Sequence, residues 1–147
     1  MEIPSNDDWE GYQGDLDAEW AYKIFAGKSN DQVQADFERT VLERAEELWY
    51  MPDRPFRYYI FGFKQYLERT SFPNFDSSDA ASSFLRLIET LEEKPERIRP
   101  VIGDLMPCVR FVANNQALYE ADEDIYGSFK ELLDSIEAHL RRHGMPD

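Results

Sequence analysis

The side chains that most often carry catalysis are scarce in this chain. Two histidines, His139 and His143, stand four residues apart, a spacing that sets both on one helical face and in principle suits a metal ion. No Glu-x-x-His arrangement accompanies them. Leu140 follows His139, and Arg141 and Arg142 come next, so the expected role of both imidazoles is to complement the negative end of a helix dipole. The single cysteine, Cys108, lies in Met106-Pro107-Cys108-Val109 and reads as a small buried hydrophobe. One thiol excludes an internal disulfide and a paired-thiol metal site. No Gly-x-Ser-x-Gly segment provides a nucleophile, and the seven glycines are scattered rather than gathered into a phosphate loop. The chain is therefore expected to be no enzyme and to hold neither metal nor cofactor.

Carboxylates, by contrast, are abundant. Thirty Asp and Glu oppose sixteen Lys and Arg, a net charge of −14 over 147 residues. Such a field repels nucleic-acid phosphates and anionic lipid, which argues against direct binding to either. A hydrophobic share of 42% and an aromatic share of 14% are too high for a disordered acidic tail. The acids are unevenly placed. Glu2, Asp7, Asp8, Glu10, Asp15, Asp17 and Glu19 fall within the first twenty residues with no Lys or Arg among them, and Trp9, Tyr12 and Trp20 are interleaved. Two readings stand. In one, Trp9 and Tyr12 strap the segment to a helical body while Asp15 and Asp17 favour a helix start. Alternatively, Asp7, Asp8, Trp9, Glu10, Tyr12, Asp15, Asp17 and Glu19 form an acidic-aromatic surface for a basic partner.

A second knot, Glu120-Ala121-Asp122-Glu123-Asp124, sits just before Tyr126. It fails as a calcium loop. With Gly127 as the sixth position, Asp122 and Asp124 take the first and third, but the fifth is Tyr126 and the twelfth Leu133. Glu120, Asp122, Glu123, Asp124 and Tyr126 are thus either the charged first turn of a helix or a second part of the partner surface. Glu43, Glu46 and Glu47 share a helix face as well, a grouping that thirty acids would produce by chance.

The elements that must position these residues are helical almost throughout. Residues 1–14, with Pro4, Gly11 and Gly14, read as an irregular lead-in, and 15–147 as a single all-α domain, a bundle of about six helices. The expected stripes begin with Leu16, Trp20 and Ile24, which stop at Gly27. Val33, Phe37, Val41, Ala45 and Leu48 follow a Ser29–Gln32 capping box. A third helix starts near Pro55 and holds six aromatics between Phe56 and Tyr66, which marks it as central core or as a tyrosine-lined groove. Asp76 caps Ala81, Phe84, Ile88 and Leu91. Ile102, Leu105, Met106, Val109 and Val112 form the next stripe, where Pro107 should introduce a kink, and Ile125 to Leu140 the last. The start lacks the basic and apolar pattern of a signal peptide, so a cytoplasmic location without membrane contact is expected.

In its acidic-aromatic start, Asp7-Asp8-Trp9-Glu10 through Asp15-Leu16-Asp17-Ala18-Glu19-Trp20, and in Glu120 to Asp124, the chain resembles small acidic immunity proteins of bacterial toxin–immunity systems. The likeness is one of character rather than of a residue-by-residue motif. It implies a basic protein partner: a cognate toxin domain, often a nuclease, held by direct occlusion of its active site or at a nearby exosite. Asp and Glu would stand in for nucleic-acid phosphates, with Trp9, Tyr12 or Tyr126 as anchors. The alternatives are a nucleic-acid mimic that inhibits a host nucleic-acid-binding enzyme, and a generic helical protein-interaction domain.

Overall fold

The computed structural model describes residues 1–146, Asn74 by its backbone alone, so that Asp147 at the end of the expected domain lies outside them. The described residues are 72% helical and contain no strand, an all-α protein as the periodicity predicts. None of the helices is long and apolar enough to cross a membrane among the described residues. The chain divides into two compact units, Met1–Asn74 and Phe75–Asp147.

In the first unit, 3-10 turns at Asn6–Trp9 and Tyr12–Gly14 lead into α1 (Leu16–Phe25), α2 (Gln34–Arg39), α3 (Val41–Tyr50) and α4 (Asp53–Leu67). Asp15 caps α1 by accepting from the amides of Asp17 at 2.8 Å and Ala18 at 3.3 Å. The Ser29–Gln32 box forms: Gln32 Oε1 accepts from the Ser29 amide and Ser29 Oγ from the Gln32 amide. It opens a turn, however, and not one long helix. Thr40 is extended and separates α2 from α3, so that each packs separately against α4.

The aromatic helix α4 is the centre of this unit, with Phe56, Tyr59, Ile60, Phe63 and Tyr66 fully buried. Tyr59 lies against Phe25 at 4.9 Å between ring centres, and Phe63 against Phe37 at 5.1 Å. The Tyr59 hydroxyl donates to the carbonyls of Phe25 and Lys28, satisfying the end of α1, and burial pushes its pKa up. Gly62 is the point of closest approach. Asn30 is pinned there by donating from Nδ2 to the Tyr58 carbonyl at 3.0 Å, and a Cβ on Gly62 would fall 2.4 Å from Asn30 Oδ1.

The face of α1 differs from the expectation. Ala18, Ala21 and Phe25 are buried, while Leu16 is 84% and Trp20 50% exposed. The small alanines face α3, and the Leu16–Trp20 ridge is rotated outward.

In the second unit α5 (Ser77–Glu89), α7 (Ile102–Asn114) and α9 (Phe129–Arg142) pack together, with α6 (Pro95–Ile98) and α8 (Glu123–Tyr126) as short connecting turns. The stripes of α5 and α7 are buried as read, and α7 runs through Pro107. Cys108 is buried. The expected last helix is broken: Gly127, at φ +76°, ends α8, and Ser128 starts α9 afresh by accepting from the Glu131 amide. Ile125 consequently leaves the apolar stripe and is 74% exposed. His139 Nδ1 and His143 Nε2 each lie 3.1 Å from Glu92 Oε2, and Arg142 pairs with the same carboxylate. Burial raises the Glu92 carboxyl, but hydrogen bonds from His143 and Arg142 outweigh it and hold the group below its ordinary range.

Replacing Gly62 by Ala sets two effects against each other. Helix propensity favours Ala by about 1 kcal/mol, whereas overpacking against a pinned side chain costs roughly 1–3 kcal/mol. The expected outcome is net destabilisation, seen as a lower urea midpoint at unchanged m-value, and partial recovery when Asn30→Ala is added.

Candidate functional site

The spacing of Glu43, Glu46, Glu47 and Tyr50 sets four polar side chains along one edge of α3. The packing of Ala18 and Ala21 brings α1 alongside that edge with Asp17 and Trp20 turned toward it. Between them lies an open cleft of about 300 Å³ lined by Asp17, Trp20, Glu43, Glu46, Glu47 and Tyr50. Four carboxylates and two aromatic rings line it, with no Lys or Arg among them.

Its base is a buried ion pair. Arg44 Nη2 donates to Glu47 Oε2 at 2.9 Å, and Arg44 Nε lies 2.6 Å from Oε1 in an ion contact without hydrogen-bond alignment. The two side chains are 4% and 7% exposed. Burial pushes the Glu47 carboxyl up, and the Arg44 guanidinium opposes that shift. The Trp20 indole forms one wall of the cleft. Lys23 Nζ sits 5.1 Å from the centre of the Trp20 ring, so the indole already receives a cation. The negative field is felt at Tyr50, whose phenol pKa is raised first by Asp17, then by burial, Glu46 and Asp15.

The residues expected to form a partner surface fall into separate settings. Asp17 lines the cleft, and Asp15 adds to its field from the α1 cap. Trp9 is fully buried, edge-on to Tyr22 at 5.4 Å, and Tyr12 stacks on Tyr22 at 4.1 Å. Trp9 is thus a core residue and cannot serve as an exposed anchor in this conformation. Of the two readings of the lead-in, strapping is the one this packing embodies. Asp8 accepts from the Ser5 amide and pairs with Arg54 at 3.2 Å; the Ser5 bond is the largest cause holding its carboxyl low. Asp7 and Glu10 are exposed, and Glu19 is partly covered.

The second cluster belongs to the other unit. Asp122 caps α8 by accepting from the Asp124 amide, and Glu120, Glu123 and Asp124 are exposed. Tyr126 is committed internally, donating to Asp79 Oδ1 at 2.8 Å, with Ser78 Oγ 3.0 Å away. Gln116 holds this loop by donating to the carbonyls of Ala121 and Gly127.

Neither Trp20 as a wall nor Glu43, Glu46 and Glu47 as more than a chance grouping follows from the sequence alone. Their i, i+3, i+4 spacing, continued by Tyr50 at i+7, was the available signal; what it lacked was knowledge of which helix lies opposite.

Compared with known proteins, the chain matches no family model, no curated protein and no solved structure.

The ion pair beneath the cleft gives a pH-dependent test. In Arg44→Met the Glu47 carboxyl loses its opposing cation, and its folded pKa rises further above the unfolded value. The stability associated with a neutral Glu47 is then present below the unfolded pKa and is lost as pH rises through the folded one. At neutral pH the substitution is expected to cost about 3–5 kcal/mol, as for other buried pairs broken on one side. The loss should shrink toward pH 4.5, as measured by urea unfolding of both proteins across that range.

Proposed function

We propose that this protein binds and neutralises a basic protein partner, in the manner of small acidic immunity proteins, and that the first unit carries the contact. The observation behind this reading is the acidic cleft flanked by two exposed apolar side chains, Leu16 and Trp20. An interface of that kind combines an apolar anchor with a charged rim, the first supplying affinity and the second on-rate and selectivity. A surface charged only against self-association would have no use for an exposed Leu and Trp on one helix face. The convergence of carboxylates from α1 and α3 on one depression supports a compact basic group as the target, over the extended phosphate track a duplex mimic must copy. The partner is a toxin domain with a cationic working surface, and occlusion of that surface is the neutralising act.

Affinity capture on the tagged full chain from native lysate, washed at low and then high salt, provides the test. The expected outcome is one stoichiometric basic protein whose retention falls with salt. That protein should arrest growth when expressed alone and cease to do so when this chain is co-expressed. A captured protein whose expression is harmless, or whose toxicity co-expression leaves unchanged, overturns the reading. Recovery of a host nucleic-acid enzyme replaces it with the mimic.

A further inference from the structure

Resting on that reading, we propose that the cleft between α1 and α3 receives a single arginine side chain of the basic partner, its guanidinium stacked on Trp20 and hydrogen-bonded to the carboxylates of the rim.

Three separate features converge on this occupant. The first is size and shape: about 300 Å³ is at the small end of ligand cavities and fits one long side chain better than a nucleotide or a folded element. The second is the wall. Trp20 is half exposed and lines the cleft beside Glu47. Lys23 Nζ already lies 5.1 Å from the centre of the same ring, so an incoming guanidinium must displace it or take the other face of the indole. The third is the distribution of charge. Asp17 stands on one side, Glu43 and Glu46 on the other, and all three are solvent-exposed, Glu43 also accepting from Arg44 Nη2 at 3.4 Å.

Arginine suits this geometry better than lysine. A planar guanidinium stacks on an indole face while five N–H donors point outward in its plane, so it engages carboxylates on two sides at once. An ammonium is a compact, strongly hydrated point charge and satisfies the ring or one carboxylate, but not a divided set. The floor of the cleft uses the same chemistry, since Arg44 is the guanidinium with which Glu47 pairs. Leu16, one turn before Trp20, lies outside the cleft and offers an apolar contact for the partner backbone or a neighbouring side chain.

The probes are blocked Gly-Arg-Gly, Gly-Lys-Gly and Gly-citrulline-Gly peptides titrated into the full chain. The readout is the indole N–H signals of Trp9, Trp20 and Trp49, assigned with Trp20→Phe. The arginine peptide should move the Trp20 signal, the lysine peptide should do so more weakly, and citrulline, isosteric but neutral, should leave it in place. Glu43→Gln with Glu46→Gln, both on exposed side chains, should weaken the arginine peptide by about tenfold, the effect of losing a charge-assisted contact. An unmoved signal from buried Trp9 in that variant verifies an intact fold. An unresponsive Trp20, an equal response to citrulline, or full binding by the double variant overturns the proposal. Its failure is distinguishable from that of the wider reading. If a toxic basic partner is captured and neutralised while Trp20 ignores the arginine peptide, only the arginine assignment falls. If the peptide binds and no toxic partner exists, the cleft stands as a guanidinium site and the immunity reading falls.

Discussion

Two alanines decide which side of α1 the protein shows to solvent. Ala18 and Ala21 are small enough to set the helix closely against α3, and with Phe25 they complete the buried face. A helix has only one such face, so burying the alanines turns Leu16 and Trp20 outward despite their larger apolar area. Much of the candidate site follows from that choice. With the helix rotated to bury Leu16 and Trp20, the indole would leave the cleft, and α3's carboxylates would stand beside an ordinary polar surface. Burying Phe25 on that face in turn depends on Tyr59, whose ring packs on it and whose hydroxyl ends the helix.

Placing Arg44 and Glu47 beneath this surface is costly in isolation. Removing two charges from water costs several kcal/mol each, and a well-packed apolar pair of equal volume often does as well or better. Stability is therefore a weak reason for the pair. Position is a stronger one. Glu47 lines the cleft beside the indole, and Arg44 beneath it balances its charge. That pairing keeps the floor polar, while the uncompensated charge of the cleft lies with Asp17 and Glu46 at the exposed rim.

Elements held by local rules were legible in the sequence, and those decided by distant packing were not. The Ser29–Gln32 box, the α5 stripe from Ala81 to Leu91 and the α7 stripe from Ile102 to Val112 depend on neighbours within a turn or two, and each forms as read. The continuity of 33–48 failed at Thr40, where an extended residue serves two separate contacts with α4 that no window of local sequence contains. The break at Gly127 had a visible cue in the glycine, but the dense acids before it read equally well as the first turn of the following helix. In the candidate site, Asp17 was singled out for belonging to a conspicuous run, and Trp20 was noted there without being assigned. Glu43, Glu46, Glu47 and Tyr50 carried a clear helical spacing, yet a charged stripe acquires meaning only from what stands across from it. Trp9 shows the converse error: surrounded by acids in sequence, it is enclosed by Tyr22 and Tyr59 in space.

The arrangement also explains how an exposed apolar ridge is tolerated in an unoccupied protein. Leu16 and Trp20 lie among Asp15, Asp17, Glu19, Glu43 and Glu46, so two copies meeting at this face would bring like charges together before the apolar groups touched. A basic partner meets no such barrier. Its approach is accelerated by the same field, and burial of a Leu-sized side chain then contributes about 1.5–3 kcal/mol that self-association cannot collect. For the proposed partner, selectivity would arise from an apolar contact that any protein would favour and an acidic frame that admits only a cationic one. On the proposed reading, the surplus of acids near α1, beyond what capping the helix requires, is the filter that admits a cationic partner to Trp20.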